Sequence, residues 1–171
     1  MNQMQKIRIE KLTLNIGAGK DQNVLEKGMK LLNHITGIQP IKTVTQKRLA
    51  AWGLRPGLPI GCKLTLRGEK AEQLWKKLLA AKENNLKESN FDNYGNISFG
   101  IAEYIDIPDV KYDPEIGIIG LQASLTLERP GFRIKKRKIQ KKKIHHNHQI
   151  TKEDAITFLQ TQFKVKVGEI Q

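Results

Sequence analysis

Lys63, Thr65 and Arg67 stand at alternate positions within RPGLPIGCKLTLRG, residues 55–68, while Ile60, Cys62, Leu64 and Leu66 fill the positions between them. Strict period-two alternation predicts a strand with one apolar and one wet face. Two cations and a hydroxyl on that wet face, with no acid among them, are suited to holding phosphate oxygens. Pro56, Gly57 and Pro59 precede the strand and predict a loop feeding it rather than part of the ladder. The same pairing of an apolar face with small polar residues recurs elsewhere. Thr13 and Asn15 lie opposite Leu12, Leu14 and Ile16, Ser98 lies between Ile97 and Phe99, and Gln122, Ser124 and Thr126 alternate with Leu121, Ala123, Leu125 and Leu127. Short hydroxyls and amides let a phosphate–ribose backbone approach closely, and Lys63 and Arg67 would neutralise it.

Two further stretches carry cations. Residues 43–58, TVTQKRLAAWGLRPGL, have no clean period and hold Gln46, Lys47, Arg48 and Arg55 around Trp52. A lone tryptophan there fits either a core plug or a platform for stacking on nucleic acid, and the residues alone leave both readings open. The segment 129–150 places nine cations between Arg129 and Lys143: Arg129, Arg133, Lys135, Lys136, Arg137, Lys138, Lys141, Lys142 and Lys143. So dense a run predicts an extended basic arm, inserted before the last helix and ordered by RNA. His145, His146 and His148 follow it, without the paired-ligand spacing of zinc sites, so no metal and no other cofactor is expected. Gly19-Lys20 does not open a nucleotide loop, because Leu14 and Asp21 stand where that motif needs Gly and Ser or Thr. No nucleophile–base–acid set with a recognisable local signature is present, and no enzyme is expected.

The balance of charge agrees with a polyanion partner. Thirty Lys and Arg against seventeen Asp and Glu give a formal net charge of +13 over 171 residues, which points to RNA, DNA or an anionic surface. The N-terminal MNQMQKIRIEK offers no apolar signal core, and no apolar run approaches the roughly 18 residues that span a bilayer. A single cysteine excludes an internal disulfide and fits a reducing, cytoplasmic setting. The charge is zoned: no acid occurs at 27–68 or 129–152, whereas 103–115 holds five acids, Asp106, Asp109 and Asp113 among them, and one lysine.

The elements that must position these residues read as α+β. Ile7 and Ile9 take one parity and Leu12, Leu14 and Ile16 the other, so a bulge or bend is expected at Glu10–Lys11. A helix should start at a capping-box-like Asn23-x-x-Glu26, bury Leu25, Met29 and Leu32, and end at Gly37. Ala71, Leu74, Trp75, Leu78 and Leu79 match a second amphipathic helix. Thr151-x-x-Asp154 predicts a capping box on a third. The expected architecture is one domain, 1–171, with an antiparallel sheet, helices packed on one face, the other face open for RNA, and the basic arm.

IRIEKLTLNIGAGK, LLNHITGIQPIKT, TVTQKRLAAWGLRPGLPIGCKLTLRG, FGIAEYIDIPDVKYDPEIGIIGL, LERPGFR and ITKEDAITFL, in this order over nearly the whole chain, resemble the family of large-subunit ribosomal proteins that bind 5S rRNA, conventionally the fifth of that subunit. The LERPGFR segment and the arm resemble its archaeal and eukaryotic branch. The resemblance implies attachment of 5S rRNA in the central protuberance and contact with large-subunit rRNA and with neighbouring proteins there. It implies 5S rRNA contacts at Asn15 and Thr65, within an open face that also holds Thr13, Lys63, Arg67, Gln122 and Ser124. It further implies that the 43–58 loop reaches the elbow of peptidyl-site tRNA, and that the acidic segment joins an intersubunit bridge with a protein of the small-subunit head. At Gly37-Ile38-Gln39-Pro40 the chain departs from the family's usual Gly-Gln-Lys-Pro, and no RNA contact is carried over to that position. The rival readings are a non-specific, nucleoid-type nucleic-acid binder and an RNA-processing enzyme.

Overall fold

The structure, a computed structural model, describes residues 2–168. Its strands are β1 (Arg8–Gly17), β2 (Ile41–Val44), β3 (Pro59–Leu66), β4 (Asn85–Lys87), β5 (Asn96–Ile101), β6 (Leu121–Glu128) and β7 (Lys166–Gly168). Its helices are α1 (Gln22–Thr36), α2 (Glu69–Ala80), α3 (Arg133–Lys136) and α4 (Lys152–Phe163). The main antiparallel sheet has the order β2-β3-β1-β6-β5, and β4 pairs with β7 in a separate parallel ladder. The chain divides into two compact units. One comprises Thr13–Leu66 and Phe99–Ala123; the other comprises Arg67–Ser98 and the described parts of 1–12 and 124–171.

In the first unit, Leu14, Ile16, Cys62, Leu64 and Leu66 are buried on one side of β1 and β3 and meet Leu25, Leu31 and Leu32 of α1. Gly28 allows that packing. A methyl there would lie 3.2 Å from both Cys62 Sγ and Ile16 Cγ2, so the helix rests on the sheet at the position where it has no side chain. The cap of α1 differs from the expected Asn23-Glu26 box. Asp21 is the N-cap and accepts from the Asn23 N–H at 2.9 Å, because the turn at Gly19-Lys20 delivers Asp21 in extended geometry (φ −83°, ψ 112°). Gly37 ends the helix in the left-handed region, as its position predicts. Pro59 is the first residue of β3 rather than part of the feeding loop. It pairs with Val44 where the β2–β3 register shifts, a place where a missing N–H is tolerated. The edge strand β2 escapes the sequence reading because its four residues are all exposed or half-buried and show no apolar period.

Cys62 lies beneath Gly28, fully buried, and that burial pushes its thiol up to about 11 from an ordinary 9.0. It is expected to resist thiol reagents at neutral pH until the protein unfolds, which a labelling time course with and without denaturant checks. Since the folded pKa exceeds the unfolded one, the thiol's contribution to stability is complete below about pH 9 and is lost as pH rises through 11.

In the second unit, Ala71, Leu74, Trp75, Leu78 and Leu79 form the buried stripe of α2. α4 opens with the expected reciprocal capping box of Thr151 and Asp154 and buries Ala155 and Leu159, with Ile156 and Phe163 only half-buried. β1 runs as one strand through Glu10–Lys11. Glu10 is half-buried there and ion-paired to Lys136.

Candidate nucleic-acid interface

Within the first unit, the side of the strands away from the core exposes Asn15, Lys63, Thr65 and Gln122, with Thr13 half-buried. The register sets Ile41 opposite Lys63 and Thr43 opposite Gly61, so β2 extends the same face. None of these face positions is a carboxylate. Lys63 has no ion-pair partner among the described residues. The side chains there are short except Lys63 and Gln122, so the backbone of β1 and β3 is accessible to a bulky polyanion.

The 43–58 loop is built as a tip on a braced base. Thr45 N–H donates to Leu58 O and Gly57 N–H to Thr45 O, both at 2.9 Å, and Leu49 and Leu54 exchange backbone bonds at 3.0 Å. Leu54 takes the buried place in this loop, which leaves Trp52 on a 3₁₀ turn with 69% of its surface exposed. Of the two readings left open for Trp52, the core plug is therefore excluded. Gln46, Lys47, Arg48 and Arg55 are exposed around it.

The acidic segment is pinned from beneath. Tyr104, Ile107 and Ile116 are buried, and the Tyr104 hydroxyl accepts from the Asp113 N–H at 2.9 Å. Asp106 and Asp109 are exposed, whereas Asp113 is half-buried and caps the Glu115 N–H at 2.9 Å, so part of its role is local. Glu115 reaches Lys30 at 2.8 Å, and this hydrogen bond and charge raise the Lys30 pKa.

In the second unit, Arg67 is exposed and Ser124 half-buried. The basic segment is less free than its composition suggests. Arg129 is largely covered, with its guanidinium 2.8 Å from Asp154 Oδ2 and 3.2 Å from Gln149 O. Lys136 bridges Glu10 and Glu128. Burial lowers its pKa, but the hydrogen bonds of both carboxylates together prevail, and the net shift is upward. Phe132 and Ile150 are buried, and Lys135 Nζ sits 4.7 Å over the Phe132 ring. His148 packs edge-on against Phe132 and bonds Pro130 O at 2.9 Å, while the His145 and His146 rings lie 4.2 Å apart. A short helix and a 3₁₀ turn thus fold the base of a segment expected to be extended throughout. Two of the partners responsible, Glu10 and Asp154, are distant in sequence, and the third, Glu128, lies at the end of β6. Arg133, Lys135, Lys138, Lys141, Lys142 and Lys143 remain exposed, with Arg137 half-buried against Gln140 O.

No described helix is long and apolar enough to cross a membrane. Residues 2–55 match the family model described as ribosomal protein L5, and residues 59–158 match the model of that ribosomal family's C-terminus. Three archaeal relatives carry the name large ribosomal subunit protein uL5. That of Nanoarchaeum equitans is 50% identical over 96% of this chain and 97% of its own length. That of Sulfurisphaera tokodaii is 46% identical over 99% and 96%. That of Nitrosopumilus maritimus is 45% identical over 96% and 95%.

Proposed function

The chain belongs to the ribosomal protein L5 family, a non-catalytic component of the large ribosomal subunit, and from that premise we propose that it binds 5S rRNA and helps attach it in the central protuberance. The observation that carries this reading is the acid-free strand face of Thr13, Asn15, Lys63, Thr65 and Gln122, whose reverse is buried under α1. Arg67 and Ser124 join the same role. The exposed cations of the 129–150 segment contact large-subunit rRNA, and Arg129 and Lys136 brace that segment. The whole chain then works as one rRNA-binding domain in the cytoplasmic ribosome, beside other large-subunit proteins of the protuberance.

The 43–58 loop extends this role to peptidyl-site tRNA, and Asp106, Asp109 and Asp113 to an intersubunit bridge with a small-subunit head protein. Trp52→Ala is expected to leave thermal stability within about 0.5 kcal/mol of the parent, because the side chain is mostly exposed. It should leave 5S rRNA binding intact yet weaken retention of peptidyl-site tRNA by the roughly 1–3 kcal/mol of one stacked aromatic. Loss of folding stability instead would assign Trp52 to packing.

The experiment for the main reading is a titration of 5S rRNA against a length-matched, unrelated structured RNA at several salt concentrations. Preference for 5S rRNA that survives high salt supports a face that reads RNA shape. Equal binding that collapses with salt would favour the nucleoid-type alternative.

A further inference from the structure

A polar cleft of about 520 Å³ lies wholly within the second unit. Its strand residues include Lys11 of β1, Ser124 and Thr126 of β6 and Ser98 of β5, three strands adjacent in the sheet. Residues 89–92 and the α3 residues Lys135 and Lys136 complete its lining. Among the described residues, the hydroxyls of Ser98, Ser124 and Thr126 and the amide of Asn90 make no side-chain hydrogen bond. Protein polar groups gathered in one concavity without internal partners are available to a ligand.

The charges narrow the ligand. Three lysines face two carboxylates, and both carboxylates are engaged: Glu10 with Lys136, and Asp92 with the backbone and amide of Asn96 and the Tyr94 N–H. Lys11 and Lys135 remain to meet an anion, and Lys135 is already placed by its contact with the Phe132 ring. A small positive excess beside a row of hydroxyls and an amide fits a group with one phosphate and several hydrogen-bonding edges, not a bare polyanion track. The volume lies in the few-hundred to ~1,000 Å³ range of small-ligand sites. Phe91, Ile97 and Leu125 line the cleft but are buried, so no aromatic face is offered for stacking, and recognition rests on base edges and the ribose 2′-hydroxyl.

We infer that this cleft holds one unpaired nucleotide of an RNA strand, its phosphate between Lys11 and Lys135 and its sugar and base edge on Asn90, Ser98, Ser124 and Thr126. The inference rests on the reading of the chain as an rRNA-binding protein and deepens it, since Ser124 is shared with the 5S rRNA role.

The test follows the amide NMR signals of Ser98, Ser124 and Thr126 while the full chain is titrated with adenosine or uridine 5′-monophosphate, and in parallel with inorganic phosphate. The mononucleotide is expected to move all three signals and to saturate, whereas phosphate moves only those of Lys11 and Lys135. Ser98→Phe, which fills the cleft, should abolish the shifts. Asn90→Ala, which removes the amide without filling the cleft, should weaken saturation by up to roughly tenfold, the value of one hydrogen bond. Unmoved signals, equal movement by phosphate alone, or an Asn90→Ala curve identical to the parent's would overturn the inference. Binding of 5S rRNA is measured separately on the same proteins. A cleft that fails in a protein that still binds 5S rRNA refutes the cleft alone, and a cleft that fills in a protein indifferent to 5S rRNA refutes the 5S reading alone.

Discussion

Replacing Lys63 and Arg67 together with glutamine is expected to flatten the salt dependence of 5S rRNA binding by about one to two logarithmic units per decade of salt. Affinity at moderate salt should fall roughly tenfold or more. The slope counts the counterions released by phosphate contacts, close to 0.7–0.9 for each, so two lost contacts have a defined signature. The effect should be confined to binding. Both side chains are exposed, and among the described residues neither is ion-paired, so their removal leaves the fold within about 0.5 kcal/mol of the parent. Lys136→Gln provides the contrast. Its ammonium bridges Glu10 and Glu128, and its loss leaves the half-buried Glu10 without its cation while Glu128 keeps Arg8 at 2.7 Å, so it should lower stability with little change in slope. A double variant that kept the parent slope would remove Lys63 and Arg67 from the RNA contact.

What could be read from the sequence was whatever one stretch of chain decides by itself. The alternation of 60–66, the stripe of α2 and the reciprocal cap of Thr151 and Asp154 each follow from residues a few positions apart. Strands β4 and β7 have three residues each and no period to detect; they exist because they pair with one another. Asp21 and Asn23 are comparable caps by residue type, and the exit from the Gly19-Lys20 turn chooses between them. Trp52 could not be assigned from its neighbours, because its exposure depends on Leu54 taking the buried place of the loop. The basic run hid a division of labour. Arg129 and Lys136 look like the other cations in sequence, and only Asp154, Glu10 and Glu128, contributed by other elements, set them apart as braces. The polar strand face was legible for a different reason: alternation fixes which residues share it, whatever lies beneath.

Gly61→Ala should be the most damaging single change on that face, with an expected loss of about 2–3 kcal/mol and a melting temperature lower by roughly 5–10 °C. Gly61 lies on β3 opposite Thr43, on the same side of the strand as Lys63 and Thr65. A methyl there would stand 2.6 Å from the Ile16 carbonyl oxygen, 3.1 Å from Thr43 Oγ1 and 3.4 Å from Gly17 Cα. Two of those three atoms are backbone and cannot rotate away, so relief requires β1 and β3 to part where they carry Asn15 and Lys63. Gly61 has no need of the left-handed region, so steric approach alone explains the glycine. Gly100→Ala is the matched control. It is also a strand glycine, a methyl there meets nothing within 4 Å, and alanine should be neutral or stabilising by a few tenths of a kcal/mol. Thermal melts of the two variants decide the point, and 5S rRNA titrations below the melting transition extend it. If Gly61→Ala loses RNA affinity while still folded, the spacing of β1 and β3 is part of the binding surface. If it melts with Gly100→Ala and the parent, the close approach at Ile16 is not what the glycine protects.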